Sequence, residues 1–483
     1  MAKNSLAVVA VALLLGGCWS LAPRYERPPI ELPAQWAGSE DRSNAAISVQ
    51  WWKIYSDPLL DQLIEEAFAH NANLALAVAR VDEARALAGF ARSELFPFAD
   101  VGANRSREQS SLRTNMPLPP GTERKTDSYR AVLNVTYELD LWGRLRDASS
   151  AARAELLATQ AARETVRLAL AAEVTQGYFA LRAYDEQITA TRRSLDTRSE
   201  ALALQKLRYE AGVISEFEYR QLEAEVLAAR AQLPGIERSR IQQENALALL
   251  LGKSPRVIYT GAIIDAVAAT DAAATLPSSI VPPGLPSELL LRRPDLVEAE
   301  QRLISANARI GLARAAYFPS ISLTGFYGSE SAAFSDLFTG PAGTWKAAAA
   351  LTQPIFGFGR VSTQVDAANA RQRQALAQYQ RAIQNAFREA RDALIAQAKT
   401  REQFEAEDKR VAALTQSLRL AELRYRNGVT SQLEMLDAER NLLSARLNRS
   451  EALRAQRAAI ADLFKSLGGG WELRQDLSPT PGS

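Results

Sequence analysis

The sequence predicts a mainly α-helical chain with a minor β component, built as two internal repeats of long α-helical hairpins plus two β-hairpins. Three observations lead there. The chain aligns with itself at offsets of 216 to 222 residues. Residues 121–233 and 355–478 contain no proline and are rich in Ala, Leu, Arg, Gln and Glu, all strong helix formers. Four short segments alternate apolar and polar residues with the period of two that marks strands.

The repeat sets the domain plan. Gly89–Pro97 lines up with Gly311–Pro319 at an offset of 222, and Arg208–Val213 with Arg424–Val429 at 216. Gly143-Arg144 matches Gly359-Arg360, and Gly252 matches Gly468, again at 216. The six-residue difference falls between Gly89 and Gly143. Repeat 1 therefore spans 57–252 and repeat 2 spans 285–468, with a linker over 253–284 and a tail over 469–483. A period this long is not that of a solenoid.

The N-terminus reads as an address. Lys3 precedes the ten-residue apolar run Leu6–Leu15, which is too short to span a bilayer but matches a secretory signal over residues 1–17. Leu15-Gly16-Gly17-Cys18 resembles a bacterial lipobox, which makes Cys18, the only cysteine, the expected lipidation site and mature N-terminus. Trp19 after it is compatible with the outer membrane. Residues 18–56, with Pro23, Pro28, Pro29 and Pro33, read as an extended lipidated tether.

Within repeat 1, helices are expected over about 57–95 and 215–251, flanking a long helix between Gly143 and the turn at Gly212. Repeat 2 has the same plan: 287–316, Gly359 to Gly428, and 431–467. Each long helix would measure about 100 Å at 1.5 Å per residue. The two short helices of repeat 1, laid end to end, match that length, which suggests a tall helical wall. Strands are expected over about 98–108 and 127–141, then 320–329 and 344–356. From Tyr129 to Leu141 every odd position is apolar, and Val132 is the one apolar even position between 128 and 141.

Composition excludes much chemistry. The 57 Lys+Arg nearly cancel the 55 Asp+Glu, so net charge does not hold this chain to nucleic acid. One cysteine and one histidine, His70, exclude a disulfide framework, a thiolate zinc cluster and paired-imidazole sites. Mean hydropathy is −0.17, and no long apolar run follows the N-terminus, so this is no multi-span helical membrane protein. No GxSxG, Walker A or GxGxxG motif is present, no cofactor is implied, and no constellation supports an enzyme.

An exported, lipidated chain with strands long enough to cross a bilayer, and with Tyr and Trp near their ends, points to a barrel. Four strands cannot close, and open edges in lipid are forbidden because unpaired backbone groups cost several kcal/mol each. Copies of the chain must supply the rest. A dimer would give eight strands and a trimer twelve, and the strand count leaves that choice open.

These residues resemble the TolC-like outer-membrane efflux factors, in their lipoprotein branch. The resemblance rests on the Leu15–Cys18 lipobox, the Phe-Pro strand starts at Pro97 and Pro319, and Gly284-Leu285-Pro286-Ser287. Leu291–Leu296 (Leu-Arg-Arg-Pro-Asp-Leu), both Tyr-x-x-Gly-Val turns and Leu436-Asp437-Ala438 complete it. It implies a homotrimer with a 12-stranded outer-membrane barrel on a periplasmic α-helical tunnel, with linker 253–284 in an equatorial region. It also implies docking to a periplasmic adaptor and an inner-membrane efflux pump, with drugs and other small toxic compounds as cargo.

In that family the helical pair of the second copy constricts the periplasmic mouth. Carried over, this points to a gate at Tyr425, Leu433, Glu434 and Asp437. The helix-tip turns, with Arg208, Tyr209, Gly212 and Val213 in one copy and Arg424, Gly428 and Val429 in the other, would meet the adaptor. Glu434 and Asp437 are three apart on one helix face, and a trimer would present each as a ring of carboxylates, a cation-preferring filter. Repeat 1 has Glu218 and Gln221 at those positions. Some family members carry a basic residue where this chain has Thr430, so an interhelical salt bridge from that position is not expected here. His70 reads as a surface residue, Trp51 and Trp52 as packing for the tether, and Arg292, Arg293 and Asp295 as supports for the start of repeat 2. The alternative to the channel is a lipid-anchored periplasmic helical scaffold without a pore.

Overall fold

The structure, a computed structural model, describes residues 20–29, 31, 48–111, 113, 119, 121, 123–260 and 292–471. The signal segment, Cys18, the 284–291 motif and most of the linker and tail lie outside them. The chain forms two compact units. One comprises Met1–Pro29, Val81–Thr159 and Ala299–Tyr379; the other comprises Ile30–Arg80, Gln160–Glu298 and Gln380–Ser483. In chain order the elements are α1 (Pro58–His70), α2 (Ala72–Ser93), β1 (Phe98–Gln109), β2 (Lys125–Leu139), α3 (Arg144–Glu210), α4 (Glu216–Leu250) and α5 (Pro255–Thr260). There follow α6 (Pro294–Ala315), β3 (Ser320–Ser331), β4 (Gly343–Thr352), α7 (Arg360–Arg426) and α8 (Gln432–Ser466). Helices α3 and α7 have 67 residues each, and α4 and α8 have 35 each, so the repeat is exact in helix length.

The strand-bearing unit holds one antiparallel sheet in the order β1-β2-β3-β4. Its register aligns Val101 with Leu133, Leu133 with Tyr327, and Tyr327 with Trp345, so the apolar alternation of every strand falls on the same face. The opposite face carries Asp100, Asn134, Arg130, Glu330 and Lys346. Val132, the apolar exception, lies on that polar face opposite Gly328, where a Cβ would come within 2.1 Å of the Ala131 carbonyl. Glycine is required there because the β2 backbone occupies the space.

Strand β2 begins and ends two residues earlier than the expected 127–141. Asp140 leaves the sheet because its carboxylate accepts the first amides of α3, from Leu145 at 3.1 Å and Arg146 at 2.9 Å. Arg144 clamps Glu138 in a two-bond fork at the same corner. Strand β4 stops at Thr352 and not at 356, because Pro354 has no amide to donate.

In the same unit the tether is fixed along α6. Ser20 Oγ donates to Asp147 at 2.7 Å, the Asn307 amide to the Pro23 carbonyl at 2.6 Å, and Arg314 to the Leu21 carbonyl at 3.2 Å. Arg27 grips Glu300 through both carboxylate oxygens, and Tyr25 donates to the same group. Glu300, Asn307 and Arg314 repeat every seven residues, one stripe of the helix.

The helical unit is held by an apolar cluster in which Leu60, Ile64, Tyr178, Leu181 and Leu247 are fully buried. Each large side chain of this kind stabilises by about 1.5–3 kcal/mol. Trp51 and Trp52, expected to lie at the end of the tether, belong to this core: a 3₁₀ turn, Trp51–Tyr55, buries both, and Trp51 stacks on Phe464 at 5.3 Å. The Tyr178 hydroxyl donates to Asp57 at 2.6 Å, while Asp57 also caps α1.

The expected helix 57–95 is two helices, broken at Asn71. The Asn71 side chain accepts from the Leu74 amide, starting α2, and donates to the Leu250 carbonyl at 2.9 Å, closing the end of α4. Repeat 2 solves the same junction with Arg293, which donates to the Ser466 carbonyl at 3.0 Å and is neutralised by Asp295 and Glu389. Positions 71 and 293 are 222 apart, and 250 and 466 are 216 apart, the two offsets of the sequence repeat. The helix-ending glycines share this geometry. A Cβ on Gly252 would meet the His70 carbonyl at 2.2 Å, and one on Gly468 the Arg292 carbonyl at 2.3 Å, both with φ positive. Helix α6 starts at Pro294, directly after the Arg293 junction; residues 287–291 of the expected 287–316 helix lie outside the described residues. Among the described residues no helix is long and apolar enough to cross a membrane, and no cluster of His, Cys, Asp and Glu has the makings of a metal site.

Candidate functional site

Two features of the sequence carry functional expectations, the helix tips and the sheet, and each lies in its own unit. The tips end in identical turns. Val213 donates to the Arg208 carbonyl at 2.8 Å with Gly212 at φ +71°, and Val429 donates to the Arg424 carbonyl at 2.9 Å with Gly428 at φ +70°. Each closes its helix with a left-handed glycine, the arrangement the Tyr-x-x-Gly-Val pattern predicts.

Beyond the turns the copies diverge. At the start of α4, Ser215 and Glu218 form a reciprocal capping box. At the start of α8, Ser431 makes no side-chain cap. Its counterpart acid, Glu434, instead takes the Thr430 hydroxyl and pairs with Arg424 across the turn at 3.2 Å. Thr430 thus feeds an ion pair made by a neighbour rather than making one. Asp437 pairs with Arg440 at 2.6 Å. Both carboxylates of the expected filter therefore have cationic partners within the chain, which reduces the charge that they present.

The tyrosines diverge as well. Tyr209 stacks on Tyr219 at 5.4 Å. Repeat 2 has Met435 in place of Tyr219, and Tyr425 turns elsewhere: its hydroxyl accepts from Gln205 at 2.9 Å and from Arg208 at 3.5 Å. This ties the tip of α7 to that of α3. Arg424, Val429, Glu434 and Asp437 come together around a cleft of about 580 Å³. Tyr425 and Leu433 do not line it; Leu433 is exposed on α8.

One cluster escaped the sequence reading. Arg198 of α3 is 3% exposed and donates to Glu225 of α4, through the carboxylate at 3.2 Å and the backbone carbonyl at 3.3 Å. It also faces Glu439 of α8 at 3.6 Å. Arg440 closes the chain, reaching Glu225 at 3.5 Å and Asp437 at 2.6 Å. Burial raises the Glu439 carboxyl above the usual range while Arg198 pulls it back. On a long helix rich in Arg and Glu, nothing in the sequence separates a buried arginine from a solvated one.

The sheet presents its apolar face outward. Val101 is 78% exposed, Tyr327 74% and Trp345 73%, with Leu133, Val135, Leu323 and Leu351 on the same face. Phe96, Phe98 and Phe318 are exposed at the end where the helices join. Among the described residues, strands β1 and β4 have no partner on their outer edges. An exposed apolar face of this extent marks a surface that contacts a partner or a membrane.

Comparison with known proteins agrees with this geometry. The family model described as outer membrane efflux protein matches residues 63–253 and 285–469, once in each repeat. The probable efflux pump outer membrane protein TtgC of Pseudomonas putida is 36% identical over 479 residues, covering 98% of this chain and 96% of that protein. The probable outer membrane lipoprotein SilC of Salmonella typhimurium is 32% identical over 480 residues, with 98% and 100% coverage. The crystal structure of the Campylobacter jejuni CmeC outer membrane channel superposes with a TM-score of 0.88 at 27% identity, covering 95% of this chain and 97% of that one.

Proposed function

We propose that this chain, which belongs to the outer membrane efflux protein family, works as a homotrimer whose three four-stranded sheets close into one 12-stranded barrel. In this reading it is a passive duct that receives drugs and other small toxic compounds from a periplasmic adaptor and an inner-membrane pump. The observation that carries the reading is the four-stranded sheet with both edges open and its apolar face exposed. In lipid such edges must be paired, and identical neighbours pair β1 of one copy with β4 of the next.

The periplasmic gate is assigned to Tyr425, Leu433, Glu434 and Asp437, held closed by the Tyr425–Gln205 bond and the Arg424–Glu434 pair. Arg208, Tyr209, Gly212, Val213, Arg424, Gly428 and Val429 form the tips that an adaptor would engage. Cys18 carries the lipid, two residues before Ser20, which is tied to Asp147.

Planar-bilayer conductance tests this reading, with wild type beside Glu434→Ala/Asp437→Ala. The expected outcome is a nearly closed wild type and a variant conducting in large steps with altered cation preference. Equal conductance would move the gate elsewhere. Silence from both, in protein shown to be folded and oligomeric, would favour the anchored scaffold.

A further inference from the structure

The apolar face of the sheet does not end in neutral residues. Continuing β1 outward from Val101 and Ala103, the next residues on that face are Arg105 and Arg107. On β2 the same face runs from Ala131 through Tyr129 and Asp127 to Lys125. Arg105 and Arg107 are each about 60% exposed. The Arg105 guanidinium lies 5.3 Å from the Tyr129 ring centroid. Both arginines approach one carboxylate, Asp127, at 3.7 Å. Three cations thus stand against a single acid, immediately beyond the aromatic side chains that border the apolar band. In the bend beyond, Glu123 and Arg124 cancel, while Glu108 and Glu330 lie on the opposite face of the sheet.

Chain topology orients this rim. Helices α2, α3, α6 and α7 all join the strands at one end, and Asp147, which holds Ser20 next to the lipidation site, is in the first turn of α3. That end belongs to the periplasmic leaflet. The hairpin end, with Arg105, Arg107 and Lys125, therefore reaches the outer leaflet, whose glycolipid carries phosphates at the depth where the acyl chains end. Exposed guanidinium groups bind phosphate through paired N–H donors, and the long side chains cover apolar surface while their charges stay at the polar boundary.

We propose that Arg105, Arg107 and Lys125 form a binding site for the phosphates of a lipid A-type glycolipid on the outward face of the barrel. The proposal rests on the membrane-spanning reading of the sheet given above. Asp127 sets its strength, because it competes with lipid phosphate for both arginines.

The test uses the full-length protein and two readouts. Flotation of the unlipidated Cys18→Ser form with phosphatidylcholine vesicles, with each variant made in that background, reports insertion of the sheet without the lipid anchor. Native mass spectrometry of the extracted oligomer, titrated with diphosphoryl or monophosphoryl lipid A, reports the site. Wild type is expected to float and to bind the diphosphoryl form about tenfold more tightly than the monophosphoryl form. Arg105→Gln/Arg107→Gln/Lys125→Gln should float yet lose about tenfold in affinity together with the phosphate preference. Asp127→Asn should bind several-fold more tightly. A floating triple variant that binds like wild type overturns the site, as does weaker binding by D127N. Should the triple variant fail to float, D127N alone decides. If wild type itself does not float, the membrane-spanning reading has failed, and the site falls with it.

Discussion

Replacing Arg198 by methionine removes a buried cation that joins α3, α4 and α8. Methionine fills a similar volume, so the loss is electrostatic. Glu225 keeps a partner in Arg440 at 3.5 Å, but Glu439, its side chain 15% exposed, is left without one. Breaking a buried pair by removing one partner costs about 3–5 kcal/mol. If that cost falls on local opening of α8, amide exchange there speeds up by roughly two to four powers of ten. Hydrogen exchange of residues 436–443, with wild type and variant at the same pH, is the assay. Removing both charges, Arg198→Met/Glu439→Gln, should restore most of the protection.

The pH dependence has a definite sign. The folded Glu439 carboxyl titrates above its unfolded value, so its ionisation opposes the packed state. Its contribution to stability is full below the unfolded pKa and is lost as pH rises through the raised one. Without Arg198 the group is raised further, so the gap between variant and wild type should narrow on acidification. Unchanged exchange in R198M, or a gap that widens toward low pH, would refute the argument.

Tyr425→Phe deletes the acceptor for Gln205 and Arg208, a loss of about 1 kcal/mol, and should raise the frequency of openings in single-channel recordings about fivefold. Arg424→Ala, which leaves Glu434 without its cross-turn cation, should increase cation preference in reversal-potential measurements as that charge is unmasked. Gly468→Ala places a Cβ 2.3 Å from the Arg292 carbonyl at φ +91°, and should destabilise the α8 end by more than about 1 kcal/mol in thermal denaturation. Gly328→Val should block sheet assembly, read as loss of the oligomer on native gels, because the β2 backbone at Ala131 and Val132 fills the space opposite.

Much of the architecture is written locally. Beyond Gly143 and Gly359 the proline-free stretches read as long helices, and a glycine after Arg-Tyr-x-x reads as a left-handed turn. The strict alternation of 128–141 fixed which residues share a face, and that face is the exposed one. Strand and helix limits depended on contacts beyond the local pattern. Asp140 ends β2 because α3 needs a cap, and Asn71 divides a continuous helical pattern because its amide can close α4 as well as start α2.

The site was legible in part for the same reason. The turns and the residues flanking them follow from backbone rules, so Arg424, Val429, Glu434 and Asp437 could be grouped before any coordinates. Their charge state could not be: the pairing of Glu434 with Arg424 and of Asp437 with Arg440 depends on side-chain directions in space. Arg198, Glu225 and Glu439 come from three helices far apart in sequence, and a buried arginine looks locally like a solvated one. The sequence by itself determined periodicity, repeat and turn, because these obey rules acting over a few residues. Tertiary structure alone decided which charges meet and which are buried, because desolvation and pairing are properties of the packed chain.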